Sequence, residues 1–341
     1  MRRGFVFAAL LTSTAILAAP AMATGYKFEK VGTIELQGQK GHGDIVTYDR
    51  SNGMVYVSMP QGLDVIDTKT NKVVQFIQNV PSPNGNDYDS KYVYVAAGDG
   101  AGQGKVNAIV VIDKNTWKEV ARVNTKGTSP DGVQVDRKTH TVYVESDDNN
   151  WVEKYKAGAH PTFEAQWPLY PANPKAGPDV GTFVGSLHAL YVPDDMWFEK
   201  LDTGSGAVVA KVDTAIPLSK HGGTKASIYD PKTGLIWGGT TNAPNGMIVY
   251  RASDLQIVKR LPTHGGIDAV AFDPGLGLVY AWGGGDRKGF DVYDVKTMTP
   301  VAFVSTGIGN THSGDVDTKT HEVYTYAGDG AVIDVFKPVK E

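Results

Sequence analysis

One short strand pattern recurs seven times along the chain, at intervals of roughly 40–50 residues. In each copy a V-Y-V-like strand follows a turn, and a loop then leads to a second strand that ends near an aspartate. The seven V-Y-V elements are VYVSM at Val55, VYVAA at Val93, VYVES at Val142, LYVPD at Leu190, LIWGG at Leu235, LVYAW at Leu278 and VYTYA at Val323. A repeat of this length with four short strands is typical of a β-propeller blade.

The two ends of the chain predict how the ring closes. The seventh repeat stops at VIDVFKP (332–338) without an outer strand, whereas YKFEKVGTIEL (26–36) reads as an outer strand with no blade before it. Pairing the two segments removes both sheet edges. We therefore predict an all-β fold: a seven-bladed β-propeller with four-stranded antiparallel blades, closed by the N-terminal strand, in one domain over residues 24–341.

The first 23 residues read as a secretory signal peptide. Arg2 and Arg3 precede an apolar run over 5–19, and Ala21-Met22-Ala23 supplies a small-residue cleavage site before Thr24. A membrane anchor is the alternative, but the run is short for a span. We expect export to the periplasm and no membrane span after cleavage.

Composition narrows the function classes. The 341 residues carry a net charge of −4 and no basic run, which argues against nucleic acid as a partner. The chain has no Cys, which excludes disulfides, thiolate ligands and a cysteine nucleophile. The Gly-rich segments at 98–106 and 283–289 lack the helix that phosphate-binding loops require. The D-x-K-T-like turns at Asp67, Asp113, Asp294 and Asp317 indicate Asx turns rather than catalysis.

The repeats also carry a family resemblance. VYVSM, VYVAA, VYVES and the segment SPDGVQVDRKTHTVYV (129–144) closely resemble the YVTN repeat of YncE-like periplasmic propellers, over nearly the whole mature chain. The later blades depart from it, with LIWGG and LVYAW replacing the V-Y-V pattern. The resemblance implies a periplasmic propeller. It implies no activity, because the functions of this family are mostly unsettled.

Four histidines form the main candidate site. His42, His221, His264 and His312 each stand just before the innermost strand of a blade, and their blades are neighbours around the ring. We predict that at least three face the same end of the central channel, where imidazoles suit Cu, Zn or Fe and also acid–base chemistry. The alternative is a repeated His-Gly turn, because the histidines stand seven, nine, nine and five residues before the turn aspartate.

The loops between second and third strands supply further candidates for ligand binding on the same face: Asp99, Glu145, Asp286 and Arg287. Two functions follow. The first is an exported propeller that binds a small ligand, a metal or a periplasmic protein partner at the top of its channel, as a monomer. The alternative is a metal-dependent enzyme of lactonase, lyase or oxidoreductase type.

Overall fold

The computed structural model describes residues 25–98, 105–170, 177–194, 196–214, 223–241, 246–284 and 286–341. Within these ranges the chain forms 28 strands and one short 3₁₀ turn, Gly185–Leu187. The predicted signal peptide (1–23), Asp99 and His221 lie outside them. Among the described residues, no helix has the length and apolar character needed to cross a bilayer.

The strands form seven four-stranded antiparallel sheets, each in simple sequential order except the last. Blade 1 contains β2 (Val46–Asp49), β3 (Met54–Met59), β4 (Gly62–Asp67) and β5 (Lys72–Gln78). Blade 2 contains β6 (Pro83–Tyr88), β7 (Tyr92–Gly98), β8 (Asn107–Asp113) and β9 (Lys118–Asn124). Blade 3 contains β10 (Pro130–Asp136), β11 (Thr141–Ser146), β12 (Trp151–Lys156) and β13 (Thr162–Pro168).

The remaining blades repeat this plan. Blade 4 contains β14 (Thr182–Val184), β15 (Ala189–Asp194), β16 (Trp197–Asp202) and β17 (Val208–Asp213). Blade 5 contains β18 (Thr224–Asp230), β19 (Leu235–Thr240), β20 (Met247–Arg251) and β21 (Ile257–Leu261). Blade 6 contains β22 (Ala269–Asp273), β23 (Leu278–Trp282), β24 (Gly289–Asp294) and β25 (Thr299–Ser305). Blade 7 contains β26 (Gly314–Asp317), β27 (Glu322–Ala327), β28 (Val332–Lys340) and the N-terminal β1 (Tyr26–Glu35).

The predicted ring closure is confirmed. Strand β1 pairs antiparallel with β28, from Tyr26 opposite Lys340 to Glu35 opposite Val332. The first strand of each blade also packs beside the first strands of both neighbouring blades, which completes a circle around the central channel. We call the end of the channel where these inner strands begin the top, and the end where they finish the bottom.

The V-Y-V pattern has a direct structural cause. Each blade is covered on both faces by its neighbours, so successive side chains of a middle strand are all buried although they point to opposite faces. In β3, Val55 and Val57 pack against blade 7, whereas Tyr56 packs against blade 2, and all three are fully buried. Seven such apolar clusters of described residues lie between adjacent blades and form the core.

The aspartates at the turns are structural, as predicted. Asp67, Asp113, Asp294 and Asp317 each accept a hydrogen bond from a backbone N–H two or three residues later, which is the Asx-turn pattern.

Candidate functional site

One position in each blade lines a cavity at the top of the channel. In six blades this position lies five residues before the turn aspartate at the end of the inner strand, and in blade 4 it lies five residues before Val184, the last residue of β14. The strand registers place it at the same level in every blade. We call this set the entrance ring: Asp44, Asn84, Asp131, Asp179, Lys225, Asp268 and His312, in blades 1 to 7. All seven side chains line a cavity of about 250 Å³, together with His42 and Asp147.

Three side chains of this cavity converge on one point. His42, Asp44 and His312 each offer a nitrogen or oxygen atom, and these three atoms lie within 4.8 Å of one another. The Nε2 atom of His312 is 3.4 Å from Oδ1 of Asp44. The two imidazole rings meet edge to face, with their centroids 4.4 Å apart.

The loop between β1 and β2 holds His42 and Asp44 in place. Its Gly41 carbonyl accepts hydrogen bonds from the Tyr326 hydroxyl at 2.9 Å and from the Asn310 amide at 3.1 Å, so blade 7 anchors it. A Cβ on Gly43 would lie 2.6 Å from the carbonyl oxygen of Ser58 and 2.7 Å from the Tyr326 ring. Only glycine permits this approach, which brings His42 and Asp44 to the cavity two residues apart.

Asp268 approaches the other side of the His312 ring. Its Oδ2 is 3.8 Å from Nδ1 of His312 and accepts a hydrogen bond from the Gly284 N–H at 3.0 Å. Nδ1 is buried and has no hydrogen-bond partner among the described residues. The His312 ring therefore lies between two carboxylates, with Asp44 at Nε2 and Asp268 on the Nδ1 side.

The cavity shifts the pKa values of its ionisable groups in different directions. Burial lowers the pKa of His42, and the nearby His312 lowers it further. Burial also opposes the charge on His312, but the hydrogen bond and charge of Asp44 outweigh this and raise its pKa above 6.5. Burial acts to raise the pKa of Asp44, yet His312 holds it below its usual value. Burial, with the charge of Asp44, raises the pKa of Asp131 to about 8.

Acidic groups dominate the top of the channel. Asp44, Asp131, Asp147, Asp179 and Asp268 all line the cavity, against one lysine, Lys225, which pairs with Asp179. Negative charge lining a cleft attracts cations. This lining therefore favours a cation, with a smaller contribution from Asp131 because burial raises its pKa to about 8.

The structure brings together two of the four histidines predicted from the sequence. His42 and His312 face the same cavity, whereas His264 is not part of its lining. The Nδ1 atom of His264 is hydrogen-bonded to Oδ1 of Asp291 at 2.6 Å. The imidazole packs against the Phe303 ring, with the ring centroids 4.6 Å apart, and the side chain is 62% exposed. Its greater distance from the turn aspartate places it higher in the loop. His221 lies outside the described residues.

Three of the four predicted loop residues, Glu145, Asp286 and Arg287, are not part of the cavity lining. Arg287 is buried and donates hydrogen bonds to the carbonyls of Gly289, Gly266 and Ala281 and to Asp291, so it holds a loop together. Glu145 is fully buried in β11, and burial raises its pKa well above the usual value. Asp286 is exposed in a turn. Asp99 lies outside the described residues.

The sequence analysis did not predict Asp44, Asp131, Asp179, Lys225 and Asp268 as one set. A sequence rule for them exists: six of the seven entrance-ring residues, including His312, stand five residues before a turn aspartate. Blade 4 obscures the rule, since Val184 stands where the other blades have the aspartate.

Comparison with known proteins shows the fold alone. No protein-family model matches the chain, and no curated protein matches it in sequence. Among solved structures, a chain from a structure titled "Crystal Structure of Mitotic Checkpoint Complex" is similar, with a TM-score of 0.76 and 9% identity over 98% of each chain. An identity this low carries no function across, so this similarity supports the propeller fold alone and leaves the site to be interpreted from its own chemistry.

Proposed function

We propose that this propeller binds a divalent transition metal, Zn²⁺ or Fe²⁺, at the top of its channel through His42, Asp44 and His312. The observation that carries the proposal is the convergence of two imidazoles and one carboxylate, with their donor atoms within 4.8 Å. Two histidines with one carboxylate form a donor set found in zinc enzymes and in non-haem iron(II) sites. The set is less suited to copper(I), which prefers sulfur ligands.

The spacing of the donor atoms fits this proposal. Ligands bonded to zinc at 2.0–2.2 Å lie about 3.4 Å apart in tetrahedral geometry. The pair His312 Nε2 and Asp44 Oδ1, at 3.4 Å, already has this separation. The donor atom of His42 lies within 4.8 Å of the other two, so a small closer approach would complete the set.

Asp268 supports the proposed site from the side opposite the metal. Metal-binding histidines usually donate their second N–H to a carboxylate or carbonyl, which fixes the tautomer and the ring orientation. Asp268 is the carboxylate beside Nδ1 of His312, and its Oδ2 would have to move closer than the present 3.8 Å to accept this hydrogen bond. The surrounding carboxylates add to the attraction for a dication.

Metal analysis and titration test the proposal. Mature protein (24–341), stripped with EDTA and titrated with zinc sulfate or, without oxygen, iron(II) sulfate, should bind one ion per chain in calorimetry. The double variant His42→Ala/His312→Ala should lose this site while keeping its thermal unfolding midpoint. His264→Ala is the matched control and should bind as the parent does. Equal binding by the double variant and the parent would refute the assignment.

A metal-dependent enzyme is the second candidate. Three protein ligands leave coordination positions for water or substrate, which is typical of catalytic rather than structural zinc sites. The adjoining 250 Å³ cavity has room for a small substrate, and Asp131 retains a proton near neutral pH because burial raises its pKa to about 8. Hydrolysis of a panel of lactones by zinc-loaded protein, absent in the double variant, would support this candidate. No turnover by metal-loaded protein would favour the binding function.

We also propose periplasmic export and membership in the YVTN-repeat, YncE-like family. The basic residues, apolar run and A-x-A site of 1–23 support export, and the V-Y-V repeats support the family. Mass spectrometry of the cellular protein should find Thr24 at the N-terminus. An intact Met1 in the mature protein would contradict export.

A further inference from the structure

A second cavity, distinct from the one inside the entrance ring, occupies the lower part of the central channel. Its volume is about 300 Å³, at the small end of the range for ligand pockets. We call it the lower cavity. It shares only Ile45 and Val180 with the cavity inside the entrance ring, and His42, Asp44 and His312 do not line it.

The lower cavity has two unlike walls. Blades 4 to 6 present mainly apolar side chains, and the hydroxyls of Thr182 and Ser227 on this wall are hydrogen-bonded to each other. The apolar side chains are Phe183, Ile228, Val270, Ala271 and Phe272. Blades 7, 1, 2 and 3 present the polar and charged side chains Thr47, Arg50, Asp87, Gln134, Arg137 and Asp315. Val46 and Val133 also line the polar wall, and a ligand that is apolar on one side and charged on the other matches this lining best.

Two of the four charged groups on the polar wall, Arg137 and Asp87, already pair with each other. Arg137 forms an ion pair with Asp87 at 2.5 Å and stacks on the Tyr88 ring at 4.2 Å. Asp87 also accepts a hydrogen bond from the Val135 N–H. These groups link blades 2 and 3 and need no ligand.

The other two charges have no such partner. The Arg50 guanidinium makes no hydrogen bond or ion pair with the part of the chain that the structure describes; its contact with Tyr88 is through the backbone N–H. Asp315 accepts only backbone N–H groups, from Tyr48 and Val316, both at 2.8 Å, and pairs with no described cation. Burial raises the pKa of Asp315, and the positive charge of Arg50 partly offsets this although the two side chains are not in contact.

We propose that the lower cavity binds a free α-amino acid with an apolar side chain. The carboxylate of such a ligand matches the guanidinium fork of Arg50, and its ammonium group matches the carboxylate of Asp315. Its side chain then lies against Ile228, Val270 and Phe183 on the opposite wall. A simple organic anion or amine pairs with only one of the two groups, the exposed Arg50 or the half-buried Asp315.

Competition between matched ligands tests the head-group requirement. Calorimetry in EDTA, which keeps the entrance ring free of metal, should show binding of at least one of L-valine, L-leucine, L-isoleucine, L-methionine and L-phenylalanine. For L-leucine, the analogues 4-methylpentanoate, which lacks the ammonium group, and 3-methylbutylamine, which lacks the carboxylate, should bind roughly ten- to a hundredfold more weakly. If none of the five amino acids binds folded protein at 10 mM, or if 4-methylpentanoate binds as well as leucine, the proposal is wrong.

Isosteric variants assign the two charges. Arg50→Gln should weaken amino-acid binding roughly ten- to a hundredfold and leave the affinity for 3-methylbutylamine unchanged. Asp315→Asn, which keeps an acceptor for the Tyr48 N–H, should weaken amino-acid binding similarly and leave 4-methylpentanoate unchanged. Arg251→Gln, which removes an exposed arginine paired with Asp254 at 3.0 Å, is the control and should change nothing. Circular dichroism confirms folding of each variant, and full affinity in either charge variant would overturn the site.

Discussion

The bottom and the top of the seven inner strands have the same backbone and different chemistry. At the bottom, six of the seven blades place an aspartate at the same position: Asp49, Asp89, Asp136, Asp230, Asp273 and Asp317. Each accepts a hydrogen bond from a backbone N–H of its own turn. In blades 1 and 2, Asp49 and Asp89 also accept the hydroxyl of the V-Y-V tyrosine, Tyr56 or Tyr94, at 2.8 Å.

The entrance ring at the top has no such uniformity. Its seven equivalent positions hold four aspartates, one asparagine, one lysine and one histidine, and their side chains meet residues of other blades in one cavity. A residue that serves its own turn is needed in every repeat, whereas a residue that faces a shared cavity is free to differ from blade to blade. The contrast fits a stabilising role for the bottom positions and the binding role that we propose for the top positions.

The largest expected effect is a loss of stability when an aspartate at the bottom of an inner strand is replaced. Asp49→Ala removes the acceptor of the Ser51 N–H and Tyr56 hydroxyl and leaves the buried amine of Lys114, 2.5 Å from Asp49, without its ion pair. Breaking a buried pair of this kind costs about 3 kcal/mol. Urea unfolding should show this loss while zinc affinity stays at the parental value.

Asp67→Ala is the matched control for that experiment. Asp67 occupies an Asx turn at the end of β4, where it accepts the exposed Lys69 N–H, so its loss should cost under about 1 kcal/mol. Equal destabilisation by both variants, or a loss of zinc affinity in Asp49→Ala, would break the division between the two ends.

The next effect concerns the top. Asp268→Asn keeps the shape of the side chain but removes the charge beside Nδ1 of His312, 3.8 Å away. Loss of such a partner typically lowers metal affinity by roughly 10–100-fold. Calorimetry should show this decrease with an unchanged unfolding midpoint. An unchanged affinity would remove Asp268 from the site.

Metal affinity should fall with pH in two steps. The pKa of His312 is raised above 6.5, so its proton competes with the metal first, and affinity should fall about tenfold per pH unit below that raised value. The pKa of His42 is lowered below 6.5, so its proton competes only at lower pH, where the decrease should steepen to about a hundredfold per unit. Titrations at closely spaced pH values measure both slopes. A single onset at pH 6.5 would contradict the opposite shifts.

The smallest effect is a gain in stability at the top. Burial, with the charge of Asp44, raises the pKa of Asp131 to about 8, while an unfolded aspartate titrates near 3.9. The folded protein therefore holds a proton that the unfolded chain has released, and stability falls as the pH rises from about 4 to 8. Asp131→Asn should be more stable than the parent at pH 8 by about 1–2 kcal/mol and not at pH 4. Equal stability of the two proteins at pH 8 would show that Asp131 is not destabilised by its surroundings.

The sequence by itself determined the architecture of this protein. The repeat length, the V-Y-V strands and the unpaired segments at the two ends predicted seven blades and the pairing of β1 with β28, because each depends on local strand and turn chemistry. The Asx turns followed from the same reasoning.

Only the tertiary structure decided which residues meet at the channel. His264 and His312 look alike in sequence, because each precedes an inner strand. His264, nine residues before the turn aspartate, contacts Asp291 and Phe303, whereas His312, five residues before it, lines the cavity. Arg287 was predicted to bind a ligand, but its guanidinium donates hydrogen bonds to three carbonyls and to Asp291. The physical reason is that local patterns depend on neighbours along the chain, whereas convergence around the axis depends on the height and direction of side chains from seven separate blades.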